Sequence, residues 1–140
     1  MPFDCKVGDT VHINDYGGGH RCVVLTNPNK DDCVVIVNFT SATGHISDGK
    51  TFTSSDDRNL FKVPTVVPYK RAKLFPVTSL RDEVNRKDVV SDYKLCPPNI
   101  MAQIIKDAFK SQFTKGDVIE ELKTYYPKEY EQYYDEDTKD

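Results

Sequence analysis

The hydrophobic positions change period along the chain, and that change divides it into a strand-rich part and a helical part. Thr10-Val11-His12-Ile13 is a short β-rich run behind the turn-like segment Lys6-Val7-Gly8-Asp9. Cys22-Val23-Val24-Leu25 and Cys33-Val34-Val35-Ile36-Val37 are unbroken apolar runs, the pattern of strands covered on both faces. Asn27-Pro28-Asn29-Lys30-Asp31-Asp32 supplies turn chemistry between them, which predicts an antiparallel hairpin. Three glycines in Asp15-Tyr16-Gly17-Gly18-Gly19 separate the first run from the second with a loop that reaches positive φ easily.

The middle is less periodic. Residues 42–59 are rich in Ser, Thr, Asp and Gly and read as a long surface loop, with a short strand near Lys50-Thr51-Phe52-Thr53. Two further strands are expected over 63–69 and 72–77, with Pro64, Pro68 and Pro76 at edges, bends or bulges. Beyond Pro98 the period becomes helical: Ile100, Ile104 and Ala108, with Met101, Ile105 and Phe109, form a wide apolar stripe. Pro98 suits a first helical position. Gly116 breaks the stripe, Asp117 is expected to N-cap a second helix over 118–125, and Pro127 limits it. Strands first and helices last make an α+β protein, a small antiparallel barrel packed by C-terminal helices. The organisation expected is one domain over 1–124 and an acidic, tyrosine-rich tail over 125–140.

Composition changes this picture at a few points. A chain of 140 residues is long enough to bury a core without disulfides or metal. The net charge of −3 hides a regional split: residues 125–140 carry 2 basic and 6 acidic side chains, residues 58–94 carry 9 basic and 4 acidic. The tail could therefore lie on the basic surface, dock a partner through its tyrosines, or remain a solvated end. Cys5, Cys22, Cys33 and Cys96 contain no C-x-x-C pair and no zinc-ligand spacing with histidine, so they read as reduced, small apolar residues. No apolar run reaches membrane-spanning length and the N-terminus lacks a signal-peptide h-region. A cytoplasmic protein without a membrane, metal or cofactor is the expectation.

Nucleotide-binding, lipase-type and zinc-protease motifs are absent, and a lone Gly triplet lacks the lysine and helix of a phosphate loop. What remains is a polar series around the first hairpin: His20-Arg21, Asn27, and Asn38-Phe39-Thr40-Ser41. An antiparallel hairpin sets the start of one strand beside the end of the next, so His20 and Arg21 are expected to approach Thr40 and Ser41 across one rim. An imidazole, a guanidinium and two hydroxyls suit metal-free RNA cleavage, in which the 2′-OH attacks the adjacent phosphate. In that reading His20 is general acid or base, Arg21 binds the scissile phosphate, Thr40 and Ser41 support the transition state, and Asn27, Asn38 and His45 contact substrate. His12, among strand residues, reads as structural.

The segments Lys6-Val7-Gly8-Asp9-Thr10-Val11, the Gly-rich loop, His20-x-x-Val23-Val24-Leu25-Thr26-Asn27 and Val35-x-Val37-Asn38-x-Thr40-Ser41 resemble the PemK/MazF family of toxin-like proteins. Phe61-x-x-x-x-Val66-Val67-x-Tyr69-x-x-Ala72 and the stretch from Ile104 through Phe109 to Ser111 are similar to one PemK-like branch. The resemblance covers most of residues 6–111. It implies an SH3-like barrel with helices, usually dimeric, and a metal-independent endoribonuclease acting on single-stranded mRNA and held in check by a small antitoxin. The family's arginine at the start of the second strand falls on His20 or Arg21, and its Thr/Ser after the third strand falls on Thr40, with Ser41 adjacent. A related toxin branch with the same barrel binds a protein without cleaving anything, so a non-catalytic SH3-like binding module is the alternative.

Overall fold

Alternate residues of two apolar strands enter two different cores, and this explains why their sequence shows no polar face. The computed structural model describes residues 5–13, 20–43, 47–87 and 94–134. Its strands are β1 Asp9–Ile13, β2 His20–Val24, β3 Cys33–Asn38, β4 Thr40–Ser41, β5 Thr65–Val66, β6 Lys73–Pro76 and β7 Lys94–Leu95. The helices are α1 Val77–Lys87, α2 Pro98–Lys110, α3 Gly116–Tyr125 and α4 Pro127–Tyr133. Val23, Leu25, Val35, Val37 and Phe39 join one core with Phe52, Phe61 and the apolar stripes of α2 and α3. Cys22, Val24, Val34 and Ile36 join a second core with Cys5 and with Val77 and Leu80 of α1. A two-layer covering of this kind is what a β-branched strand without alternation requires.

The protein is α+β. Five antiparallel strands form one sheet in the order β6-β3-β2-β1-β7, and β4 pairs with β5 in a second. No closed cylinder runs through the described strands. Phe39 alone separates β3 from β4, so one extended segment serves both sheets. The expected hairpin is present: β2 and β3 pair Cys22 with Asn38, Val23 with Val37 and Val24 with Ile36. Its turn is held by the Asn29 side chain, whose Oδ1 accepts from Asp31 N at 2.9 Å and Cys33 N at 3.0 Å. Gly8 has φ +91°, a left-handed conformation open to glycine. There its N–H donates to Val24 O and its carbonyl accepts from Cys96 N at 2.7 Å, tying β1 to both neighbours.

Several expectations are corrected. The strand expected over 63–69 is only Thr65–Val66, followed by a 3-10 turn at Tyr69–Arg71. Near Lys50-Thr51-Phe52-Thr53 there is a single bridge from Phe52 to Thr65. The strand at 72–77 stops at Pro76, and Val77 opens a helix that the sequence reading omitted. Its apolar signal is thin, resting on Val77, Leu80 and Val84 among polar residues. Asp117 is not the cap of α3: the N-cap is Lys115, and Asp117 lies in the first turn with its carboxylate accepting from Val118 N. A carboxylate there still favours the positive end of the helix dipole.

Residues 125–134 pack rather than fray. Pro127 begins α4 at a first-turn position. The Tyr130 ring meets Phe109 edge-on at 5.8 Å and stacks on Tyr134 at 4.8 Å. Lys106 and Lys123 lie over the rings of Tyr133 and Tyr130. Tyr126 donates to Leu25 O at 2.6 Å.

Two buried phenols and one thiol should make stability fall in alkali. Burial, then Asp107 and Asp48, pushes Tyr69 well above its ordinary 10.0. Burial, then Tyr125 and Glu129, raises Tyr126. Burial, then Asp57, pushes the Cys96 thiol from 9.0 up to about 12. Folding therefore favours the protonated forms, a contribution intact below the unfolded values and lost as pH rises through the folded ones. Urea-unfolding free energy should decline from about pH 9 upward, and Tyr126→Phe should flatten part of that decline. Parallel curves for the two proteins would remove Tyr126 from the explanation.

Candidate functional site

The ladder brings the start of β2 to the end of β3. Beyond the Cys22–Asn38 pair, Phe39 N donates to Arg21 O at 2.9 Å. His20 is then level with Thr40, and Arg21 with Phe39. The four residues singled out from sequence, His20, Arg21, Thr40 and Ser41, do gather at one end of the sheet. They do not share one face. Side chains alternate along a strand, so Arg21 projects with Val23 into the α2 side, whereas His20 projects with Cys22 toward the α1 side.

Arg21 is half-buried, and its Nη1 donates to Thr10 Oγ1 at 3.1 Å. Thr10 is fully buried and its hydroxyl donates to Lys94 O at 2.7 Å. With its proton committed to that carbonyl, the Thr10 oxygen acts toward Arg21 as an acceptor. Lys94 Nζ in turn donates to Asn59 O at 2.8 Å. The guanidinium is thus held by a chain of hydrogen bonds across β2, β1 and β7. Thr40 is buried and pairs with Val66, while Ser41 is exposed, pairs with Thr65, and accepts from Thr43 N at 3.4 Å.

Asn38 is completely buried, yet neither its Nδ2 nor its Oδ1 has a hydrogen-bond partner. A buried amide left so costs about 1–3 kcal/mol. It lies opposite Cys22, on the His20 side of the sheet. Asn27 is not brought to this rim. It follows the other end of β2, several residues and so roughly 20 Å along an extended chain from His20, and its Oδ1 accepts from Val7 N at 3.1 Å. His45 lies outside the described residues. The residue that sequence reasoning passed over is His12, which is exposed and is the direct cross-strand partner of Arg21. The pairing register of β1 with β2, which crosses the Gly-rich loop, was the signal needed to find it.

A second feature is a groove of about 700 Å³ between β7, α2 and α4, walled by Leu95, Met101, Ala102, Ile105 and Tyr133. Leu95 is 61% exposed, the most exposed large hydrophobic side chain among the described residues. Cys96 also lines the groove, but with its thiol pushed up to about 12 it stays protonated and is no nucleophile at neutral pH. Among the described residues no three His, Cys, Asp or Glu side chains gather as a metal-holding group, and no helix is long and apolar enough to cross a membrane.

These features define the chain as an α+β protein with a basic, hydroxyl-bearing rim at one end of its main sheet. No protein-family model, curated protein or solved structure matches it.

Proposed function

We propose that the protein is a PemK/MazF-like endoribonuclease that cleaves single-stranded RNA, such as mRNA, without a metal. The observation that carries the reading is the anchored guanidinium: Arg21, held by Thr10, stands where the ladder brings β2 against the Phe39-Thr40-Ser41 segment. Arg21 binds the scissile phosphate, for which a planar cation with several donors is well suited. Thr40 and Ser41 support the transition state, and an imidazole at the rim moves the proton. The passage of one segment from β3 into β4 is how small SH3-like barrels turn a corner, and it supports that finer description of the fold. The reading also carries a cytoplasmic homodimer and a small antitoxin protein as partners.

Incubation with a long single-stranded RNA in excess chelator tests this. Cleavage should persist and leave 5′-hydroxyl ends, because the 2′-OH rather than water is the nucleophile. RNA left intact from pH 5 to 9 would end the reading. The second reading, a non-catalytic protein-binding module, is favoured by the apolar groove with its exposed Leu95.

A further inference from the structure

We propose that His12 is the proton-transferring residue of this site, acting from β1 beside a guanidinium that Thr10 holds in position. The proposal rests on the ribonuclease reading and adds to it the acid–base group and the face of the sheet on which RNA lies.

In-line attack on a phosphate needs the cation and the proton acceptor on the same side of the sheet. His20 fails that requirement, since it neighbours Arg21 in sequence and leaves β2 in the opposite direction. His12 meets it. The β1–β2 register pairs His12 with Arg21 and Ile13 with His20. Directly opposed residues share a face with Cβ atoms about 5 Å apart. Thr10, two residues before His12, lies on the same face and bonds the guanidinium from one side, while Phe39, just past the end of β3, is level with Arg21 on the other. Among the described residues the charged groups on this face of the three strands are Arg21 on β2 and Lys94 on β7, the latter turned to Asn59 O. His12 is exposed, so a strand of RNA reaches it without displacing the core.

The chemistry balances with this one imidazole. Its neutral nitrogen accepts the ribose 2′-OH proton as the 2′-oxygen bonds to phosphorus. The P–O5′ bond breaks on the opposite side of phosphorus, the departing 5′-oxygen takes a proton from solvent, and the imidazolium gives its own proton back to solvent. The products are a 2′,3′-cyclic phosphate and a 5′-hydroxyl, with no net proton change and no water consumed. Arg21 carries the charge that develops on the non-bridging oxygens. Thr10 is a positioning residue, because its hydroxyl bonds Arg21 and the Lys94 carbonyl rather than substrate.

Single-turnover cleavage of an end-labelled single-stranded RNA, in chelator and from pH 5 to 9, tests the assignment on the full-length protein. His12→Ala should lower the rate about 100-fold or more with KM little changed, abolish the fall in rate on the acid side, and recover part of its activity in added free imidazole. His20→Ala should lose less than about tenfold, well short of the loss expected for a general acid or base. Thr10→Val should lose about tenfold, as expected when one hydrogen bond worth roughly 1.4 kcal/mol no longer orients the cation, and Thr10→Ser should restore the rate. The thermal midpoint of His12→Ala should match the wild type, as for an exposed residue. An active His12→Ala that keeps the acid limb overturns the proposal and leaves the ribonuclease reading standing. Transfer of that limb to His20 also overturns it and moves the site to the α1 face. Thr10→Val at the wild-type rate overturns the positioning role. A wild-type protein that cuts no RNA overturns the ribonuclease reading, and this proposal falls with it.

Discussion

If the protein is the ribonuclease proposed above, Arg21→Ala should reduce RNA cleavage by about 100- to 1,000-fold, the loss typical of removing a preorganised donor from a developing oxyanion. The expectation follows from how the side chain is held. A lysine-like point charge on a flexible stem would spend part of its interaction on being ordered, whereas Arg21 is already fixed by Thr10, whose own proton is committed to Lys94 O. The loss should therefore appear in the single-turnover rate more than in KM. Arg21→Lys should recover only part of it, since an ammonium reproduces the charge but not the fork of donors. Arg21 is half-buried at the sheet end, so the melting temperature should move little by comparison. Rates for Arg21→Ala within a few-fold of wild type, with normal KM, would detach the guanidinium from the chemistry. The double variant with Thr10→Val sharpens the measurement: with Arg21 gone, Thr10 should have nothing left to position, and the second substitution should add almost no further loss.

Phe61→Ala should destabilise the protein by about 3–5 kcal/mol, a large share of the 5–15 kcal/mol available to an ordinary domain. Phe61 is fully buried and stacks on Phe52 with centroids 4.9 Å apart and an interplanar angle of 12°, while meeting Phe39 edge-on at 5.1 Å. These three rings fasten the long 42–64 connection to the main sheet, with Phe52 also bridging to Thr65. Removing the middle ring leaves a cavity that the neighbouring strands cannot close without losing their pairing. The melting temperature should fall by roughly 10–20 °C, and urea unfolding should report the same free-energy loss. Phe61→Leu should cost much less, because most of the volume stays. A loss below about 1 kcal/mol for Phe61→Ala would mean that the connection is not fastened through this cluster.

How much of this was legible in the sequence depends on the range over which each signal acts. The hairpin of β2 and β3 and the helix α2 are local: unbroken β-branched runs around an Asn-rich turn, and apolar residues at spacings of three and four, leave the backbone little choice. Pro98 and Pro127 mark helix starts because a missing N–H costs nothing in a first turn. The short elements were legible only in part. Lys94–Leu95 is a strand only because β1 offers it an edge, and the strand expected over 63–69 is confined to Thr65–Val66, where Thr40–Ser41 lies beside it. Helix α1 depends on Val77 and Leu80 finding the far face of the sheet, a demand invisible in a polar segment.

The candidate site divides in the same way. Sequence alone determined that an imidazole, a guanidinium and two hydroxyls sit at strand ends that an antiparallel hairpin brings together. It also determined that the apolar strands must be covered on both faces. Only the tertiary structure decided which of these groups share one face of the sheet. Alternation along β2 separates His20 from Arg21, and the register across the Gly-rich loop sets His12 opposite Arg21. Pairing of β1 with β7 supplies the Lys94 carbonyl that fixes the Thr10 hydroxyl. The physical reason is that a side chain's face depends on register, and a one-residue slip reverses it. Register across a long loop is set by the burial of both faces together rather than by any local run of residues.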